Sequence, residues 1–170
     1  KYFAERRVMI IEERADLIAQ FVNCSNAFDD TVNLSREILL FRPSQKSWSI
    51  IEIIMHCADV DTANYHRYRW GIAKPGTVVP SIDGSWAMKL NYQESEISAA
   101  IDMIKAIRRF MSNHLKQIIN DDWTEYIYTF PNGKSLNLEE ALQLFINHTI
   151  EHRESIDKNI RLFRSTEYQE

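Results

Sequence analysis

Four separate stretches of this chain repeat apolar residues at intervals of three and four, the spacing of one helix face. That repetition restricts the fold more than any other feature. Val8, Ile11, Ala15, Ile18 and Val22 predict a first helix over about residues 3–24. A second runs from Ser49 through Ile53, His56, Val60 and Ala63 to about Trp70. It opens on Ser49 and Glu52 in an S-x-x-E frame, whose hydroxyl and carboxylate satisfy each other's free backbone N–H groups, with Trp48 and Ile53 placed as a hydrophobic staple. Ile97, Ile101, Ile104, Met111, Leu115 and Ile118 predict a third helix out to about residue 120, behind a second capping frame at Asn91 and Glu94. A fourth starts from a cap at Asn137 and Glu140 and carries Ala141, Phe145, Ile156 and then Ile160 or Phe163. Four amphipathic helices of roughly 20 residues, each about 30 Å long, have one economical packing, an all-α four-helix bundle.

The connections fit that scheme. Only 4 Gly and 4 Pro occur, which argues against turn-dense all-β architectures, and Gly71, Pro75, Gly76, Pro80 and Gly84 crowd into one long crossover loop between helices two and three. Tyr126 to Phe130 is aromatic and β-branched and is followed by Pro131, Asn132, Gly133 and Lys134, so a short β-hairpin is expected before helix four. The 170 residues form a single domain, 1–170, with a core large enough to fold without a disulfide or structural metal.

Charge and cysteine usage narrow the function classes. With 20 basic and 24 acidic side chains, net −4, and no basic block, nucleic acid is excluded as a partner. No apolar run approaches membrane-spanning length, so no membrane partner is expected. Cys24 and Cys57 lack CxxC spacing and fit reduced thiols in a cytoplasmic setting. The chain begins at Lys1 rather than Met, as it would after removal of an upstream residue or targeting segment.

The informative residues interrupt the stripe of helix four, where His148 and His152 stand at core-facing positions between Phe145 and Ile156. A step of four leaves two imidazoles about 40° apart and about 6 Å along the axis, so both can reach one cation. His56 interrupts the apolar face of helix two in the same way. Three buried imidazoles without partners would cost about 1–3 kcal/mol each, and a shared divalent metal removes that cost. Imidazole suits Zn, Ni, Cu or Fe, and three protein ligands that leave a position open describe a catalytic site at which water or a thiol ionises. An H-x3-H pattern alone also arises on solvated faces; its place on the core stripe, with a third core-facing histidine, selects the metal site. His66 and His114 are expected at the surface, Cys57 in the packing, and Asp59 as an acceptor for an imidazole N–H.

Trp48 through His56 with Ala58 and Asp59, Pro80 through Asp83 with Trp86 and Ala87, and His148 with His152 together resemble the DinB-like superfamily of bacterial four-helix bundles, in its YfiT-like branch, over nearly the whole chain. The resemblance implies an up-down-down-up bundle and a divalent metal, nickel or zinc with iron or manganese as alternatives, on His56, His148 and His152. It also implies that Trp86 lies over the metal. The chain differs from that branch at Gly84, where a charged residue is usual, and at Glu151, where another histidine often sits. Family members include thiol S-transferases using bacillithiol, mycothiol or glutathione, and metal-dependent hydrolases.

Two function classes follow. One is a metal-dependent enzyme acting on a small-molecule substrate, with water or a low-molecular-weight thiol as the activated group. The other is a non-catalytic metal- or ligand-binding bundle with a stress-related role. A homodimer is one candidate assembly. No general base is identified: Glu52 has a capping role and Glu151 faces solvent. Tyr65, Tyr68 and Trp70 with Arg67 and Arg69 offer either an anionic-substrate contact, with Arg69 the nearer to the loop, or a solvated helix end.

Overall fold

The computed structural model describes residues 8–167. Its helices are α1 (Ile11–Asn23), α2 (Arg36–Leu40), α3 (Ile50–Ala73), α4 (Trp86–Lys89), α5 (Ile97–Gln117) and α6 (Leu138–Glu167), and its strands are β1 (Thr77–Val78), β2 (Ile127–Thr129) and β3 (Ser135–Asn137). The long helices α1, α3, α5 and α6 make the bundle. Two of them start where their caps dictate. The Glu52 amide donates to Ser49 Oγ at 3.4 Å while the Ser49 amide donates to the Glu52 carboxylate at 2.9 Å. Asn137 and Glu140 exchange the equivalent pair at 2.9 and 3.0 Å.

Contacts between helices give their directions. Phe21 and Arg14 of α1 meet Phe145 and Glu139 of α6, so these two run parallel. Asp61, Tyr65 and Tyr68 of α3 meet Arg108, Phe110 and His114 of α5, again parallel. His56 meets His148 and the Trp48 carbonyl meets Asn159, so α3 opposes α6. The course is up-down-down-up, and two adjacent parallel helices, α3 and α5, require the long crossover between them.

That crossover carries more structure than a plain loop. α3 continues past Gly71 to Ala73, and the left-handed Gly76 (φ +82°) leads into β1, which pairs in parallel with β2. The predicted hairpin forms, with left-handed Gly133 (φ +83°) in its turn and Tyr128 opposite Leu136, so the sheet has three strands in the order β1-β2-β3. Asn91 and Glu94 do not cap helix three: Asn91 is itself left-handed, and the chain makes a separate short turn over Tyr92–Glu94 before α5 starts at Ile97.

The first helix departs from its expected face. Residues 3–7 of the predicted span lie outside the described residues. Val8 and Ile11 are about half exposed and Ala15 is exposed, while Arg14, Leu17, Ile18 and Phe21 are buried. The reason is Arg14, which packs over the Trp123 ring, donates to Glu139 at 3.0 Å and to the Ile119 and Asp121 carbonyls, and so occupies a core position that apolar counting passes over.

The core divides in two along the bundle axis. One cluster, near the sheet, includes Leu17, Phe21, Tyr68, Leu115, Trp123 and Leu142; the other packs Phe28, Ile50, Ile54, Ile101, Ile104 and Ile156. Between them lies a buried polar belt. Arg108 donates to both oxygens of Asp61 at 2.6 and 3.0 Å, to Thr149 Oγ1 at 2.7 Å and to Cys24 Sγ at 2.7 Å. No helix among the described residues is long and apolar enough to cross a membrane.

Candidate metal centre

Two turns beyond the Ser49 cap, α3 presents His56, and the middle of α6 presents His148 and His152 one turn apart. His56 Nε2 stands 3.2 Å from His148 Nε2, and His152 Nε2 stands 3.0 Å from the same atom. One ligand atom from each of the three lies within 4.8 Å of the others. His56 is buried, while His148 and His152 are half-buried on the flank of the stripe that Phe145, Thr149 and Ile156 complete.

Burial lowers the pKa of His56 to about 4, helped by the charge that His152 would carry. Burial lowers His148 to about 3, with His152, His56 and Arg108 adding positive charge around it, and burial also lowers His152. At neutral pH all three are therefore uncharged bases.

This donor set fits a divalent cation. Two nitrogens bound about 2.05 Å from one metal stand about 2.9 Å apart at a right angle and about 3.3 Å apart at the tetrahedral angle. Two of the three separations, 3.0 and 3.2 Å, fall in that interval, and all three ligand atoms lie within 4.8 Å of one another. Metal-free, the cluster can be satisfied with Nε2–H of His56 and of His152 donating to His148 Nε2, whereas a cation takes a lone pair from all three once those two rings carry their proton on Nδ1.

Trp48 walls the cluster. Its ring is 4.8 Å from the His56 ring and lies near-parallel to His152 at 6.2 Å, and its carbonyl accepts from Asn159 Nδ2 at 2.8 Å. His56 Nδ1 has no protein hydrogen-bond partner, so packing against Trp48 rather than an acceptor sets that ring's orientation. On α6, Thr149 ties the segment beside His148 to Arg108. Access is from the His152 side, where Trp48, Ser155 and Asn159 line a cleft of about 320 Å³.

The other expected site residues fall as follows. Trp86 opens α4, partly exposed, and no ring contact joins it to the three imidazoles; the crossover reaches the site instead at Gly84, where a Cβ would stand 3.2 Å from Trp48 Cζ2. Arg69 is exposed over the Tyr65 ring at 5.6 Å, roughly 20 Å further along α3 than His56. Arg67 is buried and holds the crossover by donating to the Pro80 carbonyl at 2.7 Å. Asp59 is not a histidine partner, because its carboxylate accepts from the Tyr92 hydroxyl. Glu52 is buried in its cap and paired with Arg42, Cys57 is buried in the packing, and Glu151 and His66 are exposed. His114 is not a plain surface residue: it is half-buried against Tyr68, with Nδ1 unpartnered and its pKa lowered by burial. Sequence reasoning missed Trp48 as a wall of the site, although its place just before the cap had singled it out.

Three imidazoles from two antiparallel helices of an up-down-down-up bundle define a metal-binding four-helix protein. The chain belongs to the DinB superfamily, whose family model matches residues 11–156. It is 23% identical over 123 residues, 72% of this chain and 71% of the relative, to a Halalkalibacterium halodurans protein named "Putative metal-dependent hydrolase". Its fold matches that of YfiT from Bacillus subtilis, described as "a probable metal-dependent hydrolase with an unusual four-helix bundle topology", at a TM-score of 0.84 and 15% identity, covering 96% of this chain and 94% of that one.

Proposed function

We propose that this protein is a divalent-metal-dependent hydrolase whose cation, zinc or nickel, is held by His56, His148 and His152. The observation that carries the reading is the convergence of three uncharged Nε2 atoms from two helices beside a cleft that reaches His152. A cation so held supplies Lewis acidity, which polarises a substrate oxygen and makes water a stronger acid.

The chain's own residues do the rest. The Ser49 cap and the Asn159 bond fix Trp48, whose ring stands against His56 and His152 and forms one wall of the cleft. Arg108 and Thr149 fix α6 beside His148, so the three nitrogens are preorganised rather than gathered on binding. The cleft orients the substrate toward His152.

The test is turnover of an ester and amide panel by metal-loaded and chelated protein, with a parallel arm pairing bacillithiol or glutathione with monochlorobimane. Metal-dependent hydrolysis is expected. Thiol conjugation without hydrolysis would replace water by a thiol as the activated group, and silence in both arms from fully loaded protein would favour a non-catalytic metal-binding role.

A further inference from the structure

The cleft beside His152 has a one-sided chemistry. Its lining includes Lys46 from the segment before α3 and Lys158 from α6, and it contains no Asp or Glu. Both lysines are exposed, and neither pairs with a carboxylate among the described residues. The neighbouring polar groups are already engaged: Asn159 Nδ2 donates to the Trp48 carbonyl at 2.8 Å and Ser155 Oγ to the Glu151 carbonyl at 3.0 Å. Ser47 Oγ lies 2.7 Å from Ser44 Oγ, and the lysine donors of the lining are two ammonium groups, on a chain whose net charge is −4.

Resting on the reading of the three histidines as a metal centre, we propose that the substrate is a small molecule bearing a carboxylate or phosphate group away from the bond that reacts. Lys46 and Lys158 anchor the anion while the reacting end meets the imidazole cluster past Trp48. A cation on the histidines and the two ammonium groups attract the same ligand, so the whole cleft is biased toward negative charge. A neutral ligand gains nothing from either lysine, and a cationic one is repelled. Both side chains stand in solvent, so the discrimination is modest and salt-sensitive.

The test uses metal-loaded protein and a matched set of metal-seeking probes: butyrohydroxamate, which is neutral, succinic monohydroxamate, which adds a carboxylate at the far end, and 3-phosphonopropionohydroxamate, which adds a phosphonate. In titration calorimetry at low salt, the anionic probes are expected to bind about threefold to tenfold more tightly than the neutral one, as two exposed ion pairs allow. The double variant Lys46→Gln, Lys158→Gln is expected to erase that preference while leaving metal content and butyrohydroxamate affinity unchanged. The tighter of the two anionic probes assigns the group. Equal binding of all three probes by the wild type, or a preference that survives in the double variant, would overturn the anion site while leaving the metal centre standing. Absence of both bound metal and hydroxamate binding would overturn the metal reading and this inference with it.

Discussion

The belt between the two halves of the core offers a sharp energetic test. Arg108 is 1% exposed and Asp61 3%, and the guanidinium meets both carboxylate oxygens at 2.6 and 3.0 Å. Replacing Asp61 by leucine strands a buried guanidinium whose remaining partners, Thr149, the Phe21 carbonyl and Cys24, are all neutral. Breaking a buried pair in this way costs about 3–5 kcal/mol, against a total stability of about 5–15 kcal/mol for a domain. Urea unfolding of the chelated protein should move its midpoint down by roughly 1.5–2.5 M at a slope near 2 kcal/mol/M. Removing both charges, as in Asp61→Leu with Arg108→Met, leaves Thr149 Oγ1 still donating to the Phe145 carbonyl and Cys24 Sγ to the Phe21 carbonyl. The double variant should therefore recover to within about 1–2 kcal/mol of the wild type. A single Asp61→Leu variant within about 1 kcal/mol of wild type, or a double variant as unstable as the sum of its parts, would refute the reasoning.

Other consequences follow from the same geometry. Because burial holds His56 and His148 at about 4 and about 3, below the ordinary 6.5, the unfolded chain takes up protons between pH 6.5 and 4 that the folded chain does not. Metal-free stability should thus fall as pH drops through that window, by up to about 1.4 kcal/mol per pH unit per histidine; equal melting midpoints in chelator at about pH 7.5 and about pH 5 would contradict this. Trp48→Ala uncovers His56 and His152 and should speed metal loss to a chelator, read by stopped-flow with a metal-sensitive dye. Ser49→Ala removes the cap of α3 and should cost about 1 kcal/mol in urea unfolding.

How much of this was legible in the sequence depends on whether the signal is local. The S-x-x-E frame at Ser49 and the cap at Asn137 act within one helical turn, and both helices start where those residues say. His148 and His152 were legible because a step of four on a core stripe has few innocent explanations, and His56 because it interrupts another apolar face. The buried face of α1 was misread because Arg14 holds a core position through partners more than 100 residues away, Glu139, the Trp123 ring and the Ile119 and Asp121 carbonyls. Asp59 looked free for an imidazole until Tyr92 arrived from the crossover, and β1 is two residues long in a segment whose glycines and prolines announce only a loop. The Asp61, Arg108 and Thr149 belt joins three helices, and no spacing rule within one helix shows it.

The central claim is that His56, His148 and His152 hold one divalent cation, and metal content measures it directly. Purified wild-type protein and the folded His148→Ala variant, each loaded with zinc or nickel, desalted and assayed by elemental mass spectrometry, should give about one equivalent and close to none. Equal metal content in the two proteins would contradict the three-histidine centre.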